Sequence, residues 1–176
     1  VAELKAMGVF WLGLTGGEPL LCPDLAAVVA KAAEKCAVKL FTTGLGITPA
    51  LATDLKRAGL FSVSISLDHW EAETHDRGRG YPGAFSEALR AIEIFKSAGL
   101  DTGVSAVLTK DMIRTGQAGR LLDFLGTLGI DEAWLSEAKP SSRPFWKEDG
   151  VCSEADRRAL VELQDRSNRN GGPVVN

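Results

Sequence analysis

The chain has 176 residues, 45% of them hydrophobic, which suits one ordinary domain with a buried core. Its formal net charge of −3 and its pI near 5.5 exclude a basic surface of the kind that binds nucleic acids. No run of about 18 apolar residues is present, so no membrane span is predicted, and the composition favours a cytoplasmic protein.

Strand-like and helix-like segments alternate along the whole chain. The first eight residues are typical of the end of a helix that Gly8 closes. A polar loop is predicted over residues 68–83, before the helix with the clearest apolar periodicity, and residues 171–176 are typical of a loop. The predicted strands cover residues 9–14, 38–42, 61–67, 101–108 and 132–135, and the predicted helices cover residues 24–36, 48–59, 84–98, 116–128 and 153–168.

This alternation predicts a parallel sheet with helices on its outside. Polar residues gather where the five predicted strands end, and five such ends on one rim are typical of a barrel or partial barrel. A doubly wound sheet would instead concentrate function at one crevice. The pattern therefore favours a partial TIM-like barrel of the α/β class. Residues 1–150 are expected to form its core, and residues 151–176 a C-terminal helix and tail.

Residues 15–21, Thr-Gly-Gly-Glu-Pro-Leu-Leu, directly follow the first predicted strand. Gly16 and Gly17 let a ligand approach the backbone closely, Glu18 supplies a negative charge, and Pro19 restricts the backbone at the exit. Backbone groups beside one carboxylate suit a ligand that carries an amino group. The sequence offers this carboxylate no helix to stabilise, which favours a binding role over a structural one.

This run resembles the Gly-Gly-Glu-Pro motif of radical S-adenosylmethionine (radical SAM) enzymes. Residues 42–44, Thr-Thr-Gly, are a partial match to the family's Thr-Asn-Gly turn. Residues 63–68, Val-Ser-Ile-Ser-Leu-Asp, are similar to the strand in which a serine contacts the cofactor, with His69 in place of the usual glycine. These three motifs and a fourth, described next, occur in family order over roughly residues 8–110.

The fourth motif is His-Asp-x-x-Arg-Gly-x-x-Gly-x-Phe, which residues 75–85 match, with Arg79 as the patterned arginine. This pattern occurs in family members with peptide or cofactor-precursor substrates. Further along, residues 137–140, Glu-Ala-Lys-Pro, form a strand-end segment of family type.

The resemblance implies a six-stranded partial barrel that binds S-adenosylmethionine (SAM) and a 4Fe-4S cluster. The cluster receives an electron from a donor and transfers it to SAM, which is cleaved to a 5′-deoxyadenosyl radical. This radical abstracts hydrogen from a substrate that the sequence does not identify. The methionine amino group would lie at the glycine-glutamate run, the ribose or carboxylate at Ser66, and the carboxylate at Arg79. The implied cofactor-binding residues are Gly16, Gly17, Glu18, Pro19, Thr43, Ser66, Asp68 and Arg79.

The family's Cys-x-x-x-Cys-x-x-Cys triplet does not occur in these residues. The first predicted strand corresponds to the family's second, so the first strand and the triplet are expected upstream of Val1, and this part alone is expected to be inactive. Cys22, Cys36 and Cys152 are too far apart for a compact ligand motif and are expected to be buried and structural.

Two alternatives use other features. Lys110 ends the fourth predicted strand and could form a Schiff base in an aldolase-type barrel, although a solvated lysine is the simpler interpretation. A non-catalytic SAM-binding or docking domain without a cluster is the other alternative. His69 and His75 are expected to make local hydrogen bonds. The four tryptophans are expected to pack in the core or at the rim, namely Trp11, Trp70, Trp134 and Trp146.

Overall fold

The computed structural model describes residues 1–139, 151–169 and 173–176. Six parallel strands form one sheet, in which every strand pairs with its neighbours in sequence. The strands are β1 (Trp11–Leu14), β2 (Ala37–Thr42), β3 (Leu60–Ser66), β4 (Asp101–Leu108), β5 (Glu132–Glu137) and β6 (Val174–Val175). Among the described strands, β1 and β6 each have one neighbour, so the curved sheet is open between them.

Helices connect successive strands and cover the outer face of the sheet. They are α1 (Ala2–Ala6), α2 (Leu25–Ala33), α3 (Pro49–Arg57), α4 (Ala72–Arg79), α5 (Ala84–Ser97), α6 (Lys110–Arg114), α7 (Gln117–Thr127) and α8 (Glu154–Arg169). None of the helices described is long and apolar enough to cross a membrane.

The outer face of the sheet forms the hydrophobic core. Because side chains alternate along a strand, β2 turns Val38 and Leu40 toward the helices, and β3 does the same with Val63 and Ile65. All four are fully buried, and Phe95 of α5 is buried beside them. Burying a side chain of this kind stabilises the fold by about 1.5–3 kcal/mol, so this layer supplies much of the folding free energy.

The inner face of the sheet carries an ion pair between Lys39 of β2 and Glu132 of β5. These strands are three positions apart in the sheet, about 14 Å if the sheet were flat. Direct contact therefore requires the sheet to curl toward a barrel. Trp11 of β1 confirms the curl, because its ring stacks on that of Trp134 of β5 with centroids 6.1 Å apart.

The ion pair is enclosed by aromatic rings. The Nζ of Lys39 lies 4.6 Å from the ring centroid of Trp134 and 5.6 Å from that of Phe41, while the Trp134 Nε1–H donates to Glu132 at 2.8 Å. Burial lowers the pKa of Lys39 to about 8. Gly103 of β4 makes room for Glu132, since a Cβ there would lie 2.6 Å from its Cγ.

The predicted strands and their flanking helices are confirmed, together with the helix that ends before Gly8. The prediction of a polar loop over residues 68–83 is wrong, because this segment contains α4. This helix buries only His75, so it lacks the apolar periodicity that identifies a helix, and it ends at Gly80 with a φ of 67°. The sequence also predicts neither the short helix α6 nor the strand β6, which lies in residues 171–176, a segment expected to be a loop. Pro140, Trp146 and the proposed boundary at residue 150 lie outside the described residues.

Replacing Glu132 by glutamine is expected to lower the free energy of unfolding by about 2–3 kcal/mol, because the ammonium of Lys39, 2% exposed, would lose its counter-charge. Adding Lys39→Met should restore most of the loss by removing the buried charge. Urea denaturation measures both effects. Lys31→Met, which breaks an exposed pair with Glu34, is the control and should cost no more than about 0.5 kcal/mol. Equal stability of E132Q and the parent chain would contradict the assignment.

Candidate functional site

A cavity of about 220 Å³ opens where the carboxyl ends of β2 and β3 meet α4 and α5. Three residues predicted for the site, Thr43, Ser66 and Arg79, line it, and His75 and Tyr81 lie in the same wall. A larger groove of about 470 Å³ runs between α7 and α8 and contains none of the predicted residues. Residues of the second, third and fourth sequence motifs therefore line the smaller cavity, whereas the glycine-glutamate run is not among its lining residues.

Glu18 is fixed by four hydrogen bonds. One carboxylate oxygen accepts from the backbone N–H of Leu20 at 3.1 Å and from the Thr42 hydroxyl at 2.5 Å. The other oxygen accepts from the backbone N–H and the hydroxyl of Thr43, at 2.8 and 2.5 Å. These bonds use about all the acceptor positions of a carboxylate, and they tie the end of β1 to the end of β2.

The expectation that Glu18 has no helix to stabilise is wrong. It is the N-cap of a single 3₁₀ turn, Pro19–Leu21, and Pro19 occupies the first position of this turn. Burial of the carboxyl group raises its pKa, but the hydrogen bonds from Thr42 and Thr43 outweigh burial and lower the pKa below 4.5. Glu18 is therefore ionised at neutral pH, and it shapes the glycine run beside it.

Gly16 and Gly17 border open space. A Cβ built on either glycine meets no other atom within 4 Å, and Gly16 has a φ of 144° that disfavours other residues. Both residues are exposed, next to the fixed charge of Glu18. A ligand has access to the backbone here without displacing a side chain.

Asp68 and Arg79 form an ion pair at the cavity. The Arg79 guanidinium lies 2.7 Å from one Asp68 oxygen, and the other oxygen accepts from the Val107 backbone N–H at 2.9 Å. Asp68 thus joins the end of β4 to α4 and holds the arginine in place. Both side chains are slightly under one third exposed, so part of the guanidinium is available to an anion.

The two histidines make the local hydrogen bonds expected of them. The His69 Nδ1 accepts from the Glu71 backbone N–H at 3.0 Å, and the His75 Nδ1 accepts from the Asp68 backbone N–H at 3.2 Å. The position of His75 in the cavity wall was not predicted. It precedes Arg79 by four residues, a spacing that puts two side chains on one face of a helix, but the signal has meaning only once α4 is recognised.

Asp76, the acidic residue of the fourth motif, has a structural role. Its carboxylate accepts from the backbone N–H groups of Gly83 at 2.6 Å and Phe85 at 2.8 Å, and these bonds lower its pKa. Both donors stand at the start of α5. Asp76 therefore holds the α4–α5 junction that carries one side of the cavity.

A metal cluster does not fit the described residues. They contain no group of three or more His, Cys, Asp or Glu side chains placed to hold a metal ion. Cys36 and Cys152 are buried, as expected, whereas Cys22 is exposed, which corrects the expectation for that residue. The arginine and the serine and threonine hydroxyl groups at the cavity suit an organic ligand with a carboxylate and hydroxyl groups.

The sequence model of the radical SAM superfamily matches residues 1–113. The chain belongs to the radical SAM superfamily. The matched residues include every predicted site residue and the strands β1 to β4. Lys110, the nucleophile of the aldolase alternative, begins α6 and is not among the residues that line the cavity.

Curated radical SAM enzymes are also similar to this chain in sequence. Mycofactocin maturase MftC of Mycobacterium ulcerans is 36% identical over 154 residues, which cover 84% of this chain and 40% of the relative. AdoMet-dependent heme synthase of Methanosarcina barkeri is 35% identical over 111 residues, which cover 62% of this chain and 32% of the relative. The chain spans well under half the length of either.

Solved structures share the fold. SuiB of Streptococcus suis, bound to S-adenosylmethionine, superposes with a TM-score of 0.78 over 99% of this chain and 40% of that chain, at 20% sequence identity. Native anSMEcpe with bound AdoMet superposes with a TM-score of 0.71 over 96% of this chain and 50% of that chain, also at 20% identity. The partial barrel expected from the resemblance is therefore confirmed.

Glu18→Gln is expected to destabilise this radical SAM domain by about 1–3 kcal/mol at pH 7, because glutamine has one acceptor oxygen where the carboxylate has two, and its NH₂ group cannot accept from the donors it then faces. The pKa of Glu18 is lower in the folded state than its ordinary 4.5, so its stabilisation is complete above pH 4.5 and is lost as the pH falls through the folded pKa. The difference between the two proteins should therefore shrink below pH 4.5. Urea denaturation at a series of pH values measures it, and a difference that stays constant would contradict this role.

Proposed function

We propose that this chain forms the SAM-binding part of a radical SAM enzyme, with the ligand held along the carboxyl ends of β1, β2 and β3. The observation that carries the proposal is the convergence of Thr43, Ser66 and Arg79 on one cavity. Thr43 in turn bonds Glu18, which directly follows the open backbone of Gly16 and Gly17. These residues come from four sequence motifs that are far apart in the chain. Family membership identifies the ligand class that such a rim would accept.

The carboxylate of SAM would lie at Arg79. The ion pair with Asp68 occupies one nitrogen of the guanidinium and fixes the direction of the group, which leaves the N–H groups of the other nitrogens for a second anion. The Ser66 and Thr43 hydroxyls in the same cavity are suited to donate to the carboxylate or to the ribose. A preorganised arginine of this kind binds at a smaller entropic cost than a mobile one.

The amino group of SAM would lie at Gly16 and Gly17. The four hydrogen bonds of Glu18 fill its acceptor positions, so we assign the direct contacts to backbone carbonyl groups of the glycine run. Glu18 then contributes in two ways: it fixes the backbone through Thr43 and Pro19, and its negative charge attracts the ammonium group. Asp68 acts through Arg79 as a positioning residue.

The radical chemistry belongs to the full-length protein. A 4Fe-4S cluster supplies the electron that cleaves SAM in this family, and the described residues do not hold one. We propose that its ligands come from other parts of the full-length protein, which also provides contacts for an electron donor. Three of the curated relatives are named as a mycofactocin maturase, an AdoMet-dependent heme synthase and a PqqA peptide cyclase. A shared SAM-binding part with substrate contacts elsewhere accounts for this range.

Arg79→Gln in the full-length protein is expected to weaken SAM binding about tenfold to a hundredfold, because a charge-assisted hydrogen bond contributes about 1.5–3 kcal/mol. Isothermal titration calorimetry with SAM measures the effect. 5′-Methylthioadenosine, which lacks the carboxylate, should bind R79Q and the parent protein equally. Arg77→Gln is the matched control on the same helix, since Arg77 is 68% exposed and contacts Glu73. Equal affinities of R79Q and R77Q for SAM would contradict the proposal.

Iron analysis distinguishes an enzyme from a non-catalytic SAM-binding domain. After anaerobic reconstitution with iron and sulfide, the full-length protein is expected to retain iron, whereas residues 1–176 alone should retain none. A full-length protein that binds SAM but no iron would support the non-catalytic alternative.

A further inference from the structure

His75, the first residue of the fourth motif, lines the cavity beside Arg79 and has no role in the proposed function described above. It is 2% exposed, lies on the inner side of α4, and contributes to the wall of the cavity beside Arg79. Its ring packs edge to face against Phe85, with centroids 6.1 Å apart, so its orientation is restricted.

The hydrogen bond at Nδ1 determines the tautomer of this imidazole. Nδ1 accepts from the Asp68 backbone N–H, so in the neutral ring the proton must be on Nε2. Burial lowers the pKa of His75 below 6.5, and the nearby carboxylate of Asp68 opposes this only in part. The ring is therefore neutral at pH 7, with Nε2–H as its one N–H donor.

Asp68 links His75 to Arg79. Its backbone N–H fixes the imidazole, and its side chain fixes the guanidinium at 2.7 Å. The two side chains stand four residues apart on one face of α4 and border the same cavity. Asp68, in the loop after β3, thus positions two hydrogen-bond donors at the same cavity.

We propose that the His75 Nε2–H donates a hydrogen bond to the carboxylate of the ligand that Arg79 binds, so that the two residues form a two-point carboxylate site. This inference rests on the proposed function, since it takes SAM as the ligand. A neutral donor beside the cation adds directionality without a second positive charge, and it favours an amino-acid carboxylate over a ligand that lacks one.

Two substitutions separate the nitrogen atoms of His75. Asparagine places an acceptor near the position of Nδ1 and so can retain the bond from the Asp68 N–H, while it removes the donor in the cavity. Glutamine places an NH₂ group near the position of Nε2 and so retains the donor. His69→Asn is the matched control, because His69 is also buried and accepts a local backbone hydrogen bond but does not line the cavity.

The experiment is calorimetric titration of SAM and 5′-methylthioadenosine into the full-length protein and the three variants, with thermal denaturation to verify folding. H75N is expected to lose about tenfold in SAM affinity, the effect of one hydrogen bond to a charged group, and to bind 5′-methylthioadenosine like the parent. H75Q should bind SAM within about threefold of the parent, and H69N should be unchanged.

The results distinguish this inference from the proposed function. If the parent protein does not bind SAM, the proposed function fails. If the parent binds SAM and H75N binds it equally well, the proposed role of His75 is wrong while the function stands. Equal losses for SAM and 5′-methylthioadenosine in H75N would also overturn the role, because they would indicate a purely structural residue.

Discussion

The curl of the sheet, which brings Lys39 into contact with Glu132, is the constraint on which the rest of the structure depends. The two residues belong to strands that a flat sheet would keep about 14 Å apart, so their contact requires the curvature. Curvature in turn directs the carboxyl ends of the strands toward one rim. Burying a charged pair between two strands costs free energy, because each ion must lose its hydration. Here the cost is offset by the hydrogen bond from Trp134 and by the aromatic rings around the ammonium.

At the rim, carboxylates organise the site without being free to bind. Glu18 joins β1 to β2 through threonine donors, and Asp68 joins β4 to α4 through Val107 and Arg79. In both cases acceptor positions are used within the protein, and the groups they fix face open space. Such preorganisation reduces the freedom lost when a ligand binds. The acidic residues of the motifs thus act mainly through their neighbours.

The strands and the rim could be predicted because their signals are local. Alternating apolar residues mark β2 and β3, and polar residues follow at their ends. The ion pair could not be predicted in this way, because Lys39 resembles a solvent-facing strand residue and its partner is 93 residues away. Helix α4 was missed for a related reason. With His75 as its one buried residue, it has almost no apolar face, and the grouping of His75 with Arg79 was hidden along with the helix.

The stacked indoles of Trp11 and Trp134 give the curved sheet an optical signature of its own. Their rings are nearly parallel, 6° apart, and belong to the edge strand β1 and to β5, the neighbour of the other edge strand. The near-ultraviolet circular dichroism band of these indoles depends on their fixed packing against each other. A sheet that flattened while keeping its helices would lose this band and retain its far-ultraviolet spectrum. The closure of the barrel can thus be followed separately from its secondary structure.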